Sequence, residues 1–109
     1  MDRIPESIQK AVKDYILKLS RDIPVKKVIL FGSYARGTSN EHSDIDLAVF
    51  SDYFKNMNRV DGIHLLLLKT MDCDLDIDIE PQPFTMEEYN DPHGFVEEIL
   101  KTGIEINIH

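Results

Sequence analysis

Two aspartates separated by a single residue begin a short apolar stretch near the middle of the chain. Residues 44–50 read D-I-D-L-A-V-F, a pattern that predicts a buried β-strand. Since side chains alternate along a strand, Asp44 and Asp46 are expected on the same face. Two carboxylates held there repel each other and lose hydration, which is unfavourable unless a cation lies between them. The pair therefore indicates a site for a hard divalent cation such as Mg²⁺.

A glycine–serine turn lies a few residues before this pair. An apolar run predicts a strand over about 27–32, which Gly32 and Ser33 interrupt, and a short helix is expected from Ser33 to Arg36. Backbone N–H groups at such a turn and the Ser33 hydroxyl are donors for an anion. Arg36 either stabilises phosphate charge or pairs with a nearby acid. A cation site beside an anion site indicates a metal–nucleotide site, although an ordinary turn and a surface arginine are the alternative interpretation.

The segment from Gly32 to Leu47, G-S-Y-A-R-G followed after five residues by S-D-I-D-L, resembles the signature of the minimal nucleotidyltransferases. These belong to the DNA polymerase β-like nucleotidyltransferase superfamily. Residues 76–83 and 95–106 also resemble one branch of these short proteins, so the resemblance spans most of the chain. It implies a compact nucleotidyltransferase fold, a site that uses Mg²⁺ with ATP as substrate, phosphate binding by Gly32, Ser33 and Arg36, and metal binding by Asp44 and Asp46.

A second acidic stretch follows later in the chain. In residues 75–80, apolar side chains alternate with Asp76, Asp78 and Glu80, which predicts a strand with one acidic face. The resemblance implies that a strand neighbouring the D-x-D strand supplies a third catalytic carboxylate. Asp76 is the predicted third carboxylate and metal ligand, with Asp78 as the alternative. If neither reaches the metal, an inactive two-carboxylate site is expected.

The remaining pattern predicts the elements that position these residues. Helices are expected over 5–20, 58–71 and 95–102, with a capped helical turn at 85–88, and a final strand over 104–108. Pro81 and Pro83 are expected to end the acidic strand. The helix over 58–71 is apolar on more than one side, which predicts packing in the core, with packing on another chain as the alternative. Alternation of helices and strands predicts an α/β (α+β) fold with a small mixed sheet flanked by helices.

Length and composition limit the possible functions. The chain has 109 residues, which suits one domain over residues 1–109. Its net charge of −8 disfavours direct binding to nucleic acid and suits a basic protein partner. The single cysteine excludes an internal disulfide and predicts a cytoplasmic protein. Neither a signal peptide nor a stretch of transmembrane length is apparent, so no membrane association is expected.

The leading hypothesis for function is Mg²⁺-dependent transfer of a nucleotidyl group, with adenylylation from ATP favoured. The resemblance implies a separate helical partner of the HEPN type, an RNase toxin that this chain neutralises as the antitoxin by adenylylating it or by binding it. A hetero-oligomer or a homodimer is expected. Two alternatives stay open: a non-catalytic partner-binding module with a remnant site, and an adenylyltransferase for small molecules.

Overall fold

The computed structural model describes residues 4–38, 44–71, 73 and 78–108. Helices and strands alternate there, and most predicted elements are confirmed within one or two residues. The longest helix has 14 residues, and no helix in the described ranges has the length and apolar character that crossing a membrane requires. In chain order, the elements are α1 (Glu6–Leu19), β1 (Lys27–Phe31), α2 (Ser33–Arg36), β2 (Ile45–Phe50), a 3₁₀ helix (Asp52–Phe54), α3 (Arg59–Thr70), β3 (Ile79–Phe84), α4 (Met86–Asn90), α5 (Phe95–Thr102) and β4 (Ile104–Glu105).

The strands form a mixed sheet in the order β3-β2-β1-β4. β1 is antiparallel to both β2 and β4, whereas β2 and β3 are parallel. This arrangement confirms the predicted α/β class with a small mixed sheet flanked by helices. The last strand, Ile104–Glu105, is shorter than the predicted 104–108. One further hydrogen bond, from the Ile106 N–H to the Val28 carbonyl (2.9 Å), continues the pairing beyond it.

Both faces of the sheet are covered, which explains the continuous apolar run in β2. Ile45, Leu47 and Val49 project into the larger core with α1 and α3. Ala48 and Phe50 project into a second core on the opposite face, together with Ile29, Phe84, Val96 and Ile99. Asp44 and Asp46 share the second face because side chains alternate along the strand. The two acids therefore lie beyond the end of the second core.

β3 continues through two prolines, so the prediction that Pro81 and Pro83 end this strand is wrong. The strand lies at the edge of the sheet. The Ile45 N–H at the start of β2 donates to the Asp78 carbonyl, and the Ser51 N–H just after β2 donates to the Phe84 carbonyl, each at 2.9 Å. Even-numbered residues of β3 therefore direct their backbone groups toward β2. Both proline nitrogens face the open edge, where no partner strand needs an N–H. Residues 74–77, the first part of the predicted acidic strand, lie outside the described residues.

Helix α3 is less buried than its composition predicts. Only Gly62 and Leu66 of this helix are buried, and a Cβ at Gly62 would lie 3.0 Å from the Pro83 ring. The prediction of core packing on more than one side is therefore wrong. Four apolar side chains on and just after the helix form an exposed surface, here called the α3 stripe: Val60 (74% exposed), Leu67 (44%), Leu68 (51%) and Met71 (79%).

Candidate active site

The turn after β1 is packed directly on the D-x-D strand. Gly32 has a φ of +77°, a backbone conformation that residues other than glycine rarely adopt. A Cβ at this position would lie 3.1 Å from Cγ of Asp46 and would overlap its carboxylate oxygen. Glycine is therefore required twice over, by the turn and by the carboxylate beside it. The structure brings the predicted phosphate-binding turn and the predicted metal ligand into contact.

The short helix α2 follows this turn and is held by its buried side. Tyr34 and Ala35 are buried, and the Arg36 N–H donates to the Gly32 carbonyl at 3.1 Å. Ser33, half-buried, begins the helix beside the carboxylates, while Arg36 is exposed. The Arg36 guanidinium is close enough to Asp46 to lower the pKa of that carboxyl. The structure therefore has Ser33 and Arg36 near the acids, where the sequence predicts them, and their phosphate-binding roles stay predictions.

Strand pairing adds a third carboxyl, from Glu80. Asp46 and Glu80 are partners in the parallel pairing of β2 with β3, so their side chains project from the same face at the same level. A hydrogen bond with Asp44 is the main cause that raises the pKa of Glu80, followed by burial and by the charges of Asp44 and Asp46. Asp44, Asp46 and Glu80 therefore form one interacting carboxyl group, here called the acid cluster.

Opposing effects within and around the acid cluster act on the pKa of Asp46, which is raised overall. Burial raises it most, a hydrogen bond from Glu80 lowers it, the charge of Asp44 raises it, and Arg36 lowers it. The hydrogen bond between the two side chains thus lowers the pKa of Asp46 and raises that of Glu80. A cation bound between the ionised carboxylates would relieve their repulsion.

The third carboxylate differs from the sequence expectation in part. Asp76 lies outside the described residues, so its prediction stays a prediction. Asp78 is exposed, and its carbonyl accepts from the Ile45 N–H at 2.9 Å, while Glu80 is the carboxyl that interacts with Asp46. Alternation alone cannot choose among Asp76, Asp78 and Glu80, because residues two apart along a strand share one face. Only the register of β3 against β2 does so.

The oxygen donors suit Mg²⁺, although they do not enclose it. Across the ranges that the structure describes, no three or more His, Cys, Asp or Glu side chains are arranged as a metal cage. Magnesium typically uses one or two carboxylates and completes its coordination with water and substrate phosphates. Asp44 and Asp46, beside a turn that suits phosphate, fit an ion that arrives with a nucleotide.

Comparison with known sequences gives a family match over nearly the whole chain. Residues 10–108 match the model of the nucleotidyltransferase domain. A stretch of 46 residues, 40% of this chain and 46% of the relative, is 48% identical to a protein of Methanocaldococcus jannaschii named as a candidate protein adenylyltransferase. A stretch of 73 residues, 64% of this chain and 52% of the relative, is 40% identical to protein adenylyltransferase MntA of Shewanella oneidensis. The chain thus spans about half the length of these relatives.

Comparison with solved structures confirms the fold. A candidate nucleotidyltransferase from Sulfolobus solfataricus matches 91% of this chain and 80% of its own with a TM-score of 0.66, at 22% identity. A toxin–antitoxin structure with AMP-PNP matches 87% of this chain and 72% of its own with a TM-score of 0.50, at 25% identity. The first match concerns the fold alone. The second is a protein assembly whose structure contains a nucleotide analogue.

Proposed function

Because the chain belongs to the nucleotidyltransferase domain family, we propose that it is an enzyme that transfers an adenylyl group from ATP to a partner protein. The observation that carries this proposal is the contact between the Gly32 turn and Asp46, with Asp44 and Glu80 in the same cluster. A similar protein named protein adenylyltransferase MntA supports the reaction class. A similar structure with AMP-PNP supports ATP as the nucleotide.

In this proposal, the turn binds the nucleotide phosphates. Amides around Gly32 and the Ser33 hydroxyl donate to phosphate oxygens, and Arg36 adds positive charge. Asp44 and Asp46 would hold Mg²⁺, which would supply positive charge to neutralise the triphosphate. Glu80 is the third carboxylate that the described residues favour, and Asp76 is retained as the ligand that the sequence predicts. Asp78 is a weaker candidate than Glu80, because Glu80 and not Asp78 is among the groups that shift the pKa of Asp46.

The reaction needs little beyond position and charge. An acceptor hydroxyl forms a new bond to the α-phosphorus of ATP, the bond from that phosphorus to the bridging oxygen breaks, and pyrophosphate leaves. The hydroxyl proton passes to an ionised carboxylate of the acid cluster, for which Glu80 is the candidate because its raised pKa makes it a stronger base. Arg36 and the turn keep the phosphates aligned with the acceptor. Such positioning and electrostatic stabilisation supply most of the catalysis in phosphoryl transfer.

The partner in this proposal is a helical toxin of the HEPN type, and the chain is its antitoxin in the cytoplasm. The similar toxin–antitoxin structure supports a toxin as the partner, whereas the HEPN type is what the sequence resemblance implies. The net charge of −8 suits a basic partner, and the exposed α3 stripe offers apolar surface for it. A hetero-oligomer is therefore the proposed assembly, with a homodimer as the alternative.

Intact-mass spectrometry tests the enzymatic proposal. The chain is incubated with ATP, Mg²⁺ and the protein encoded by the adjacent reading frame. We expect a mass increase of the partner corresponding to one or more adenylyl groups. This increase should be lost in the variant with Asp44→Asn and Asp46→Asn and retained in Asp91→Asn, an exposed aspartate outside the acid cluster. An unmodified partner with the wild-type chain would refute adenylylation.

A second candidate function is neutralisation by binding alone. The α3 stripe favours it, since an apolar surface of this kind can hold a partner whether or not the acid cluster is active. Cell survival after toxin expression distinguishes the two. Full protection by the variant with Asp44→Asn and Asp46→Asn would show that binding suffices, whereas loss of protection with retained binding would show that the reaction is required.

A further inference from the structure

An aromatic group borders the acid cluster on the same face of the sheet. Phe31, the residue before Gly32, is the cross-strand partner of Asp46, so the two side chains lie next to each other on one face. The ring of Phe95 meets the ring of Phe31 edge to face, with centroids 5.7 Å apart and planes at 84°. It also lies 6.4 Å from the ring of Phe84. Phe95 is therefore fixed beside the cluster from two sides.

Phe95 is unusual because it is fixed and yet exposed. Its side chain is 56% exposed, whereas Val96 and Ile99 of the same helix are 5% and 1% exposed. Those two residues anchor α5 in the second core. An aromatic ring at the start of the helix is therefore unnecessary for holding it. A rigid ring with a free surface beside a nucleotide site is suited to stacking on a planar group.

We propose that Phe95, supported by Phe31, stacks on the adenine base of ATP, an inference that rests on the proposed function. A triphosphate on the Gly32 turn, with an ion at Asp46, would bring the α-phosphate near Phe31, which precedes Gly32 and pairs with Asp46. Adenine is joined to that phosphate through a single ribose, so it must lie close to the same residues. The acceptor of the reaction also carries a planar ring if it is a tyrosine, and the experiment separates the two.

The test compares ATP with inorganic tripolyphosphate, which lacks the base. Affinities of both for the wild-type chain and for Phe95→Ala are measured by calorimetry in the presence of Mg²⁺. Stacking is worth about 1–3 kcal/mol per base, so we expect ATP to bind about 5- to 150-fold more weakly to Phe95→Ala. Tripolyphosphate affinity should not change, and Phe95→Tyr should restore ATP binding. Tyr53→Ala, which removes another exposed ring (46% exposed), is the control and should bind ATP normally.

Each other result overturns the inference. Equal loss of ATP and tripolyphosphate affinity in Phe95→Ala would indicate a structural role only. Unchanged ATP affinity would exclude stacking on adenine, and if the KM for the acceptor protein then rose, the ring would belong to acceptor binding. If the wild-type chain bound neither ligand, the proposed function itself would fail. That result is distinct from equal ATP affinity in the wild-type chain and in Phe95→Ala, which overturns only the stacking inference.

Discussion

At Gly32, backbone conformation and packing both depend on the lack of a side chain. Its φ of +77° disfavours any other residue, and a Cβ would overlap the Asp46 carboxylate. Gly37 also has a positive φ, +75°, but its ψ of +19° places it in the left-handed helical region, whereas Gly32 has a ψ of −148°. Nothing lies within 4 Å of a Cβ at Gly37, so only Gly32 combines a positive φ with a side-chain contact.

We therefore predict that Gly32→Ala impairs both folding and function, while Gly37→Ala impairs folding alone. Left-handed strain should lower the free energy of unfolding by about 1–2 kcal/mol in Gly37→Ala. The loss should be larger in Gly32→Ala, because a φ of +77° with a ψ of −148° is accessible essentially only to glycine. Only Gly32→Ala should also displace Asp46 and abolish Mg²⁺-dependent ATP binding. Chemical denaturation and calorimetry measure the two effects. Equal ATP affinities in the two variants would contradict the role assigned to the Gly32 contact.

The acid cluster makes the metal-free protein sensitive to pH. Burial is the main cause that raises the pKa of Asp46, and a hydrogen bond with Asp44 is the main cause that raises the pKa of Glu80. Their contribution to stability is therefore fully present below the pKa values of the unfolded chain, about 4, and is lost as pH rises through the raised values of the folded state. Stability of the metal-free protein should fall between about pH 4 and neutral pH from this cause, and Mg²⁺ should restore it.

Neutral variants of the acid cluster should be more stable without metal. We predict that Glu80→Gln raises the melting temperature at pH 7 in the presence of a chelator, because it removes repulsion with Asp44 and Asp46. Substitutions at functional sites commonly gain about 0.5–2 kcal/mol in this way. Glu98→Gln, at an exposed position on α5, is the matched control and should not change stability with pH. A lower melting temperature for Glu80→Gln would contradict the assignment.

At the scale of elements, β3 determines where the third carboxyl lies. Alternation in residues 44–50 and 75–80 predicted which side chains share a face. It does not predict register, which depends on where β3 pairs with β2, so the sequence alone does not identify Glu80 as the third carboxyl. The wrong prediction that the prolines end β3 has a similar cause. Their nitrogens are tolerated because β3 is an edge strand, and edge position is a property of the assembled sheet.

Arg59 at the start of α3 holds this edge strand. Its guanidinium donates to the Pro83 carbonyl at 3.3 Å and lies 5.1 Å from the centroid of the Phe84 ring. We predict that Arg59→Ala lowers the free energy of unfolding by about 1 kcal/mol and weakens ATP-dependent transfer, because β3 carries Glu80. Arg59→Lys should recover only part of this, since lysine lacks the planar fork. Lys55→Ala, at an exposed position, is the control. If Arg59→Ala matched it in stability and activity, β3 would be positioned by other contacts.

At the scale of the whole molecule, the acid cluster and the α3 stripe are separate surfaces, which we propose for catalysis and for partner binding. Helical periodicity predicted α3 but misassigned its surface, since an apolar face reads the same whether it packs inside the chain or against a partner. The fold class and the turn beside Asp46 were predictable because their patterns are local. The exposure of the stripe and the pairing of Glu80 were not, because both depend on contacts between distant segments.

If the stripe binds the partner, Leu68→Asp should weaken the complex at least tenfold and leave ATP affinity unchanged. A buried charge at an apolar interface is unfavourable, and Leu68 is half exposed in the isolated chain, so folding should be preserved. Leu17→Asp, on α1 at similar exposure (60%), is the control. Pull-down with the partner and calorimetry with ATP separate the two effects. Unchanged partner affinity in Leu68→Asp would place the interface elsewhere.

The proposed adenylyl transfer depends most on the binding of a divalent ion with its nucleotide at the acid cluster. The most direct measurement is a crystal structure with Mn²⁺ and a non-hydrolysable ATP analogue, in which anomalous scattering locates the ion. We predict an ion bound by Asp44 and Asp46, with the triphosphate on the Gly32 turn and Glu80 within reach of the α-phosphate. An analogue bound elsewhere, or an ion that contacts neither aspartate, would contradict the account.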